Sequence, residues 1–164
     1  MEKLNCTWVI WYHYDINSWG KESFRQLTTI KTVEDFWMFV EAIKSINNLL
    51  VEHVYFMREG IMPMWEDQKN RNGGCWSIKI DIKDSYTVFV KMLMYLICES
   101  MLINGENNFS EEITGLSLCQ KNNYNCILQI WNSEKKNSNI RYLPKEITDQ
   151  FGYEILWRCH LPEY

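Results

Sequence analysis

The 164-residue sequence lacks any apolar run of the roughly 20 residues that a membrane-spanning helix requires. Its first residues, MEKLNCTWVIWYHYD, place an acid at the second position and alternate polar with apolar side chains, unlike a signal peptide. Internal repeats, linkers and low-complexity segments are also lacking, so the length predicts a single domain over residues 1–164. We expect a soluble protein in the cytoplasm.

Histidine is scarce, at three residues, and the six cysteines include no C-x-x-C pair. This pattern argues against a zinc site or a disulfide framework and is typical of reduced thiols in a cytosolic protein. Positive charge is also in short supply, because the formal net charge is −4. The sequence therefore argues against a protein that coats nucleic acid through many phosphate contacts, while a local basic pocket is left open.

Aromatic residues, by contrast, are abundant, at 15% with eight tryptophans. Trp8, Trp11 and Trp76 fall in segments with a β-strand pattern, where packing in the core or on the sheet is the better interpretation. Trp19 and Trp65 instead fall among polar and glycine residues, in NSWGKES and GIMPMWEDQKNRNGG, which predict loops.

Alternating residues predict strands, and apolar residues three and four apart predict helices. The predicted strands are 6–14, 24–30, 52–59, 74–82, 113–120, 127–132 and 153–159. The predicted helices are 32–46, with a core face of Phe36, Phe39, Val40 and Ile43; 85–100, with a core face of Phe89, Met92, Leu93, Leu96 and Ile97; and a short helix from Pro144 to about Gly152.

Local signals sharpen these boundaries. Thr32 and Asp35 have the spacing of a capping box at the start of the first helix. The segments NGENN and KNNYN predict surface loops. Strands outnumber helices and occur mostly as adjacent pairs, which predicts an α+β fold with helices packed on one face of an antiparallel sheet.

Two loop tryptophans and an adjacent acid suit a flat, positively charged heterocycle. Trp19 and Trp65 can enclose the ring, and Glu66 can accept its N–H groups. Guanine presents N1–H and the 2-amino group side by side, a donor pair that one carboxylate accepts, and methylation at N7 would add positive charge. The alternative, that these aromatics fill the core, is left open by spacing alone.

Five segments occur in a characteristic order: TVEDFW (Thr32–Trp37), GIMPMWED, NGGCW (Asn72–Trp76), ESM and ILQIW (Ile127–Trp131). In order, and nearly in spacing, they resemble one known family, the eukaryotic translation initiation factor four-E family, which binds the 7-methylguanosine cap of mRNA. The resemblance extends from about Leu4 to His160. It implies a curved antiparallel sheet with three helices on its convex face and the cap bound on its concave face.

The resemblance also implies roles for individual residues. Trp19 and Trp65 match the stacking tryptophans, and Glu66 matches the carboxylate that recognises the guanine edge. The backbone N–H of Trp65 would reach guanine O6, and Trp131 would contact the N7-methyl group. Lys121 matches a phosphate-binding arginine of the family and keeps its charge without its planar fork.

Two positions depart from the family pattern. Cys75 stands where a phosphate-binding arginine is expected, and Ile127 stands where a lysine is expected. Three other bases are candidates to replace them: Lys69, Arg71 and Arg158. A further hypothesis is that contacts to the first transcribed nucleotide restore affinity, which predicts tighter binding of an extended cap than of the cap analogue alone.

A second surface is implied on the helices. Val33, Trp37, Val90 and Met94 lie on the shoulders of the two apolar stripes, where partly buried packing is the simpler interpretation. The resemblance implies that they bind a helix carrying a tyrosine and two leucines, from an initiation scaffold of the four-G type or a four-E-binding repressor. Lys91 replaces the family's acid there, which predicts a dedicated partner with an acid instead of the usual base.

The resemblance implies a monomeric cap-binding initiation factor that is not an enzyme and uses no cofactor. A cap-binding translational repressor or decoy of the same fold is the alternative that Lys91 leaves open. A decapping or cap-methylating enzyme would need a glutamate-rich metal helix or a glycine-rich cofactor loop, and neither pattern occurs. A protein that only binds the scaffold is disfavoured by the intact Trp19, Trp65 and Glu66. The histidines are interpreted as surface or packing residues: His13, His53 and His160.

Overall fold

The computed structural model describes residues 1–15, 17–45 and 53–161. Within these ranges the chain forms nine strands and three helices, joined by loops and short 3₁₀ turns. The strands are β1 (Lys3–His13), β2 (Phe24–Thr32), β3 (His53–Arg58), β4 (Gly74–Asp81), β5 (Ile103–Asn104), β6 (Asn107–Asn108), β7 (Ile113–Gln120), β8 (Asn125–Asn132) and β9 (Leu156–Cys159). The helices are α1 (Val33–Ser45), α2 (Ser85–Ile97) and α3 (Lys145–Phe151). None of the described helices is long and apolar enough to cross a membrane.

Seven of the described strands form one antiparallel sheet in the order β2-β1-β3-β7-β8-β4-β9. All three helices contribute to one core cluster on this sheet, through residues that include Phe36 of α1, Phe89 of α2 and Ile147 of α3. β5 and β6 form a separate hairpin. The predicted α+β fold, with helices on one face of an antiparallel sheet, is confirmed.

Alternation along the strands divides their side chains between two faces. On β3, Phe56 joins the core under the helices, whereas Tyr55 joins a smaller apolar cluster on the opposite face. The same rule places Trp8 of β1 under the helices and Trp11 against the smaller cluster, on opposite faces as predicted. We call these the helix face and the open face. No described helix covers the open face, so a ligand can reach the sheet there.

The start of α1 follows the predicted capping box. The Asp35 N–H donates to Thr32 Oγ1 at 3.1 Å, and the Asp35 carboxylate accepts from the backbone N–H groups of Lys31 and Thr32 at 2.9 and 3.0 Å. These two N–H groups lower the pKa of Asp35. β2 therefore passes directly into α1 without a loop.

Helix α2 ends at Ile97, three residues before its predicted end. The N–H of Ser100 donates to the Tyr95 carbonyl and the N–H of Glu99 donates to the Leu96 carbonyl, which is a Schellman motif. Glu99 takes the left-handed position, with φ 49°, where glycine is usual. Two hydrogen bonds from the Arg58 guanidinium, at 2.9 and 2.7 Å, hold the Glu99 carboxylate and offset this strain.

Other elements differ from the predictions at their ends. β1 and β8 begin earlier than predicted, whereas β9 begins at Leu156 because a 3₁₀ turn occupies Gly152–Glu154. The segment NGENN, predicted as a loop, lies within the β5–β6 hairpin, which begins at Ile103 and turns at Gly105 with φ 60°. The predicted end of the first helix and start of the third strand, residues 46 and 52, lie outside the described residues.

Candidate functional site

A cavity of about 350 Å³ lies on the open face, within the size range of small-ligand sites. Strands β2, β3, β7 and β8 form its floor, and two loops form its rim. We call these the Trp19 loop (residues 17–23) and the Trp65 loop (residues 59–73). The lining residues are Trp19, Phe24, His53, Tyr55, Pro63, Met64, Trp65, Glu66, Ser117, Cys119, Gln129 and Trp131.

Trp19 forms one wall of the cavity, with 56% of its surface exposed. Its indole stacks on the ring of His13, with 4.2 Å between centroids and 13° between planes. His13 is buried, and its Nε2 lies 2.8 Å from the Ser18 carbonyl oxygen, so Nε2 donates to that oxygen. Because His13 covers one face of the indole, the other face is available to a ligand.

The Trp65 loop is held in shape by two of its own side chains. The buried Asn70 amide donates to the carbonyl oxygens of Met62 and Met64, at 2.9 Å each. The Asp67 carboxylate accepts from the Met62 N–H at 2.9 Å. The loop therefore closes on itself and leaves Trp65 38% exposed at the rim.

Replacing Asn70 with alanine is expected to lower the free energy of unfolding by about 1–2 kcal/mol, because two buried hydrogen bonds are lost. Denaturant titration measures this change. Asn72, which is exposed in the same loop, provides the matched control, since Asn72→Ala should change the value by less than about 0.5 kcal/mol. Equal unfolding energies for the wild type and Asn70→Ala would contradict the role of Asn70.

The end of the Trp65 loop packs closely against its neighbours. A Cβ at Gly73 would overlap with the carbonyl oxygen of Asn132, so glycine is required there. The His160 backbone N–H donates to the Gly73 carbonyl at 3.1 Å, and its ring Nδ1 lies 2.8 Å from the Asn70 carbonyl oxygen. The His160 ring also stacks on Trp65, at 5.8 Å and 16°.

The floor of the cavity is a hydrogen-bonded layer around Trp131, which is only 2% exposed. The indole Nε1 donates to Ser117 Oγ at 3.0 Å, and Ser117 Oγ donates to Gln129 Oε1 at 3.3 Å. Gln129 Nε2 then donates to Ser77 Oγ at 3.1 Å. Tyr55 meets the Trp131 ring edge-on, at 6.0 Å. Few torsions are therefore left free in the floor, and its shape is set before a ligand arrives.

Glu66 is the one acidic side chain among the described residues that line the cavity. Burial lowers the pKa of His53, with a further contribution from the charge of His13, so the His53 ring is uncharged at neutral pH. Burial raises the pKa of the Tyr55 phenol, which stays protonated. Within the described ranges, no group of three or more His, Cys, Asp or Glu side chains is arranged to hold a metal ion.

The candidate phosphate-binding residues lie outside the cavity lining. Lys121 is exposed in the turn after β7, and Ile127 is half-buried on β8. Cys75 is buried on β4, and burial raises the pKa of its thiol to about 11. Arg158 lies directly opposite Cys75 in the β4–β9 pairing, and its charge is near enough to act against that rise in the Cys75 pKa. An exposed arginine therefore neighbours the position where one was expected.

The cavity suits a flat, positively charged ring with adjacent N–H donors. Its walls are aromatic, and stacking of a base on an aromatic side chain is worth about 1–3 kcal/mol. Glu66 offers a carboxylate for the donors. No lysine or arginine is among the described lining residues, so no like charge there would repel a positive ring.

Comparison with known proteins connects this geometry to a family. The family model described as eukaryotic initiation factor 4E matches residues 3–156. The chain belongs to the eukaryotic initiation factor 4E family. The resemblance found in the sequence motifs is thereby confirmed.

Relatives in this family are similar over much of the chain. Eukaryotic translation initiation factor 4E of Xenopus laevis is 30% identical over 156 residues, which cover 91% of this chain and 70% of that protein. Eukaryotic translation initiation factor 4E type 1B of Mus musculus is 33% identical over 118 residues, which cover 70% of this chain and 48% of that protein. The chain thus matches about half of the mouse relative's length.

Solved structures of initiation factor 4E proteins have the same fold. Ascaris suum eIF4E-3 with an m7G cap superimposes with a TM-score of 0.78 at 25% identity, covering 99% of this chain and 93% of that chain. Caenorhabditis elegans eIF4E-3, in complex with the 4E-binding protein Mextli and a cap analog, gives a TM-score of 0.79 at 23% identity, covering 97% and 92%.

The initiation factor 4E fold brings four of the five predicted ligand residues to one cavity: Trp19, Trp65, Glu66 and Trp131. It leaves Lys121 outside the lining. Motif analysis missed Ser117 and Gln129, although they share the strand parity of the open face and could have been found from it. It also missed Asn70 and His160 as supports of the site.

The predicted partner-binding residues lie on the helix face. Trp37 and Met94 are exposed, and Val33 and Val90 are half-buried. A shallow groove of about 280 Å³ lies beside α2 and is lined by Lys91, Met94, Tyr95, Cys98 and Ser100. The predicted surface is thus partly open and adjoins a groove.

Lys91 is paired within the chain. Its ammonium forms an ion pair with the Glu146 carboxylate of α3, which raises the pKa of Lys91 and lowers that of Glu146. Tyr95 of α2 also contributes to lowering the pKa of Glu146. The position of Lys91 therefore carries a shared charge, which sequence analysis could not anticipate because Glu146 is on another helix.

Proposed function

We propose that this chain binds the 7-methylguanosine cap of mRNA on its open face and recruits a partner on its helix face in translation initiation. The observation that carries the proposal is the cavity of about 350 Å³ that combines exposed Trp19, exposed Trp65 and the Glu66 carboxylate. The cap carried by the Ascaris suum relative of the same fold supports the choice of ligand. Initiation on capped mRNA takes place in the cytoplasm, which is the location we propose.

In the proposed complex the methylated base lies between Trp19 and Trp65, each of which already has one face covered by a histidine. Glu66 accepts hydrogen bonds from N1–H and the 2-amino group, and the Trp65 backbone N–H donates to O6. Trp131 lies below, at the N7-methyl group. The positive charge on the ring strengthens both the stacking and the contact with Glu66.

The phosphate groups of the cap would lie toward Arg158. Cys75 cannot bind them, because it is buried and its thiol stays neutral at physiological pH. Arg158 is exposed in the opposite register position and supplies the fork that Cys75 lacks. For the rest of the capped mRNA we propose two further contacts. Lys121 would contact the cap phosphates, and other residues would contact the first transcribed nucleotide.

Retention on immobilised 7-methyl-GTP tests the proposed function. The wild-type protein should be retained and should elute with free 7-methyl-GTP but not with the same concentration of GTP. Trp19→Ala should pass through, because it removes one wall of the slot without touching the core. Failure of the folded wild-type protein to be retained would contradict the proposal.

On the helix face we propose that a partner helix carrying a tyrosine and two leucines contacts Trp37 and Met94. The chain offers an apolar surface there beside the Lys91 groove. The Caenorhabditis elegans structure, which contains a 4E-binding protein, supports a partner of this kind. If the partner is a scaffold, the protein acts as an initiation factor. If the protein binds the cap without recruiting a scaffold, it acts as a repressor.

The charge at Lys91 predicts which partner binds. A motif peptide with an acid facing Lys91 should bind about two- to fivefold more tightly than the same peptide with a base, since surface charge pairs contribute little each. Lys91→Glu should reverse this preference, and Lys83→Glu, an exposed lysine before α2, is the control that should not. Fluorescence anisotropy measures both affinities. Preference of the wild type for the basic peptide would contradict the prediction.

A further inference from the structure

His160 lies at the junction of three parts of the site. It follows β9, is 1% exposed, and stacks on Trp65. Its ring also contacts the floor residue Trp131, with centroids 4.7 Å apart. Its Nδ1 bonds to the Asn70 carbonyl, and Asn70 shapes the Trp65 loop. One imidazole therefore touches a wall, the floor and the loop anchor.

The hydrogen bond to Asn70 determines where the ring proton is. A carbonyl oxygen only accepts, so Nδ1 must donate, and the neutral ring leaves Nε2 unprotonated. Nε2 is buried and has no hydrogen-bond partner among the described residues. Protonation would place a charged N–H at this buried position without an acceptor, which is costly.

The groups around His160 include one charged side chain, Glu66, and uncharged groups from the neighbouring elements. Burial lowers its pKa most strongly, while the Asn70 bond and the negative charge of Glu66 on the Trp65 loop act in the opposite direction. From β8 it meets the uncharged ring of Trp131, and from the turn before β4 it meets the carbonyl of Gly73. Glu66 is thus the charged group that a protonated His160 would attract.

We propose that His160 is a positioning residue that holds Trp65 for the base only while its ring is neutral, so that protonation of His160 weakens binding of the cationic guanine. This inference rests on the proposed function. Protonated His160 would repel the positive ring and compete with it for the Glu66 carboxylate. Ligand binding and protonation of His160 therefore oppose each other.

The direction of the pH dependence follows from this linkage. The ordinary pKa of histidine is about 6.5, and that of His160 is lowered by burial in the free protein and lowered again by a bound cation. Affinity is therefore full above the pKa of the free protein. It falls as the pH drops through that value, by at most about tenfold per pH unit for one proton.

The test compares 7-methyl-GTP affinity in three proteins at pH 7.5 and at a pH one unit below the His160 pKa that NMR titration of the free wild type gives. His160→Phe keeps a ring beside Trp65 and Trp131, and His160→Asn keeps a donor for the Asn70 carbonyl, but neither titrates. Tryptophan fluorescence quenching at constant ionic strength gives each dissociation constant. Because the ligand's own titration is common to all three proteins, only the ratio of wild type to variant is used.

The proposal predicts that the wild type loses severalfold more affinity than either variant between the two pH values. Parallel losses in all three proteins would overturn it. If His160 had only a structural role, replacing it would lower the affinity by the same factor at every pH. His53→Gln, which removes the titratable ring that lines the cavity, should keep the His160-dependent difference. Absence of wild-type binding at pH 7.5 would instead refute the proposed function, and this inference with it.

A second measurement needs no variant, so it distinguishes a structural role of His160 from a role through its protonation even if a variant folds poorly. The NMR titration of the His160 ring in the wild type gives its pKa with and without 7-methyl-GTP. The proposal predicts a lower pKa in the bound protein, and an unchanged pKa would overturn it.

Discussion

Replacing Trp65 with alanine should weaken binding of 7-methyl-GTP by about a hundredfold, the largest effect that we expect from one substitution. Stacking of a base contributes about 1–3 kcal/mol, and the positive ring adds a cation–π contribution. The His160 ring behind Trp65, which also contacts the floor residue Trp131, would lose its stacking partner as well. Isothermal titration calorimetry gives the two dissociation constants.

A second substitution at Trp65 and a control variant give the Trp65→Ala result a basis for comparison. Trp65→Phe keeps an aromatic face of smaller area and should lose less affinity than Trp65→Ala. Tyr153→Ala, which removes an exposed aromatic residue outside the cavity lining, should leave the affinity unchanged. Because Trp65 is 38% exposed at the rim, thermal unfolding of Trp65→Ala should stay close to wild type. An unchanged affinity in Trp65→Ala would show that the ligand does not use this wall.

Glu66→Gln should weaken 7-methyl-GTP binding by about tenfold to a hundredfold, nearly as much as Glu66→Ala. A carboxylate accepts both N1–H and the 2-amino group, whereas an amide can turn only one acceptor toward them and presents a donor to the other. A hydrogen bond to a charged group contributes about 1.5–3 kcal/mol, which sets this range. The same calorimetric titration measures the effect.

The acid next to Glu66 is not equivalent to it. The Asp67 carboxylate bonds to the Met62 and Lys69 N–H groups of the loop, so its replacement would disturb the loop itself. Glu59→Gln is the better control, since it removes one exposed negative charge outside the cavity lining and should change affinity less than about twofold. Equal losses in Glu59→Gln and Glu66→Gln would mean that only net charge matters.

Local patterns in the sequence are sufficient for most elements of the fold. The spacing of Phe36, Phe39, Val40 and Ile43 identified the core side of α1, and all four residues are buried. Alternation identified the two faces of β1 from Trp8 and Trp11. These signals are local because the periodicity of a helix or strand is set by its own backbone.

Element ends and hidden supports depend on contacts between distant residues. The early end of α2 depends on Glu99 in a left-handed conformation, which Arg58 stabilises from 41 positions earlier in the sequence. Lys91 pairs with Glu146 on another helix. Neither partner can be inferred from local spacing, because each contact exists only after the chain has folded.

The residues of the candidate site also differ in whether local sequence could identify them. Trp19 and Trp65 were conspicuous because large aromatic residues are unusual in polar loops, and both line the cavity. His160 was interpreted as a surface or packing residue, and it does pack, but its partner Asn70 is 90 positions away. A role beside Trp65 and Trp131 could be recognised only once the fold placed His160 against both rings.

The central claim is that this cavity selects a guanine made positive by methylation at N7. Calorimetric titration of the wild-type protein with 7-methyl-GTP and with GTP, in the same buffer at pH 7.5, tests it most directly. The account predicts at least about a tenfold tighter dissociation constant for 7-methyl-GTP, since a cation–π contact on desolvated indoles contributes up to about 2 kcal/mol. Equal affinities, or no measurable binding of either nucleotide, would contradict it.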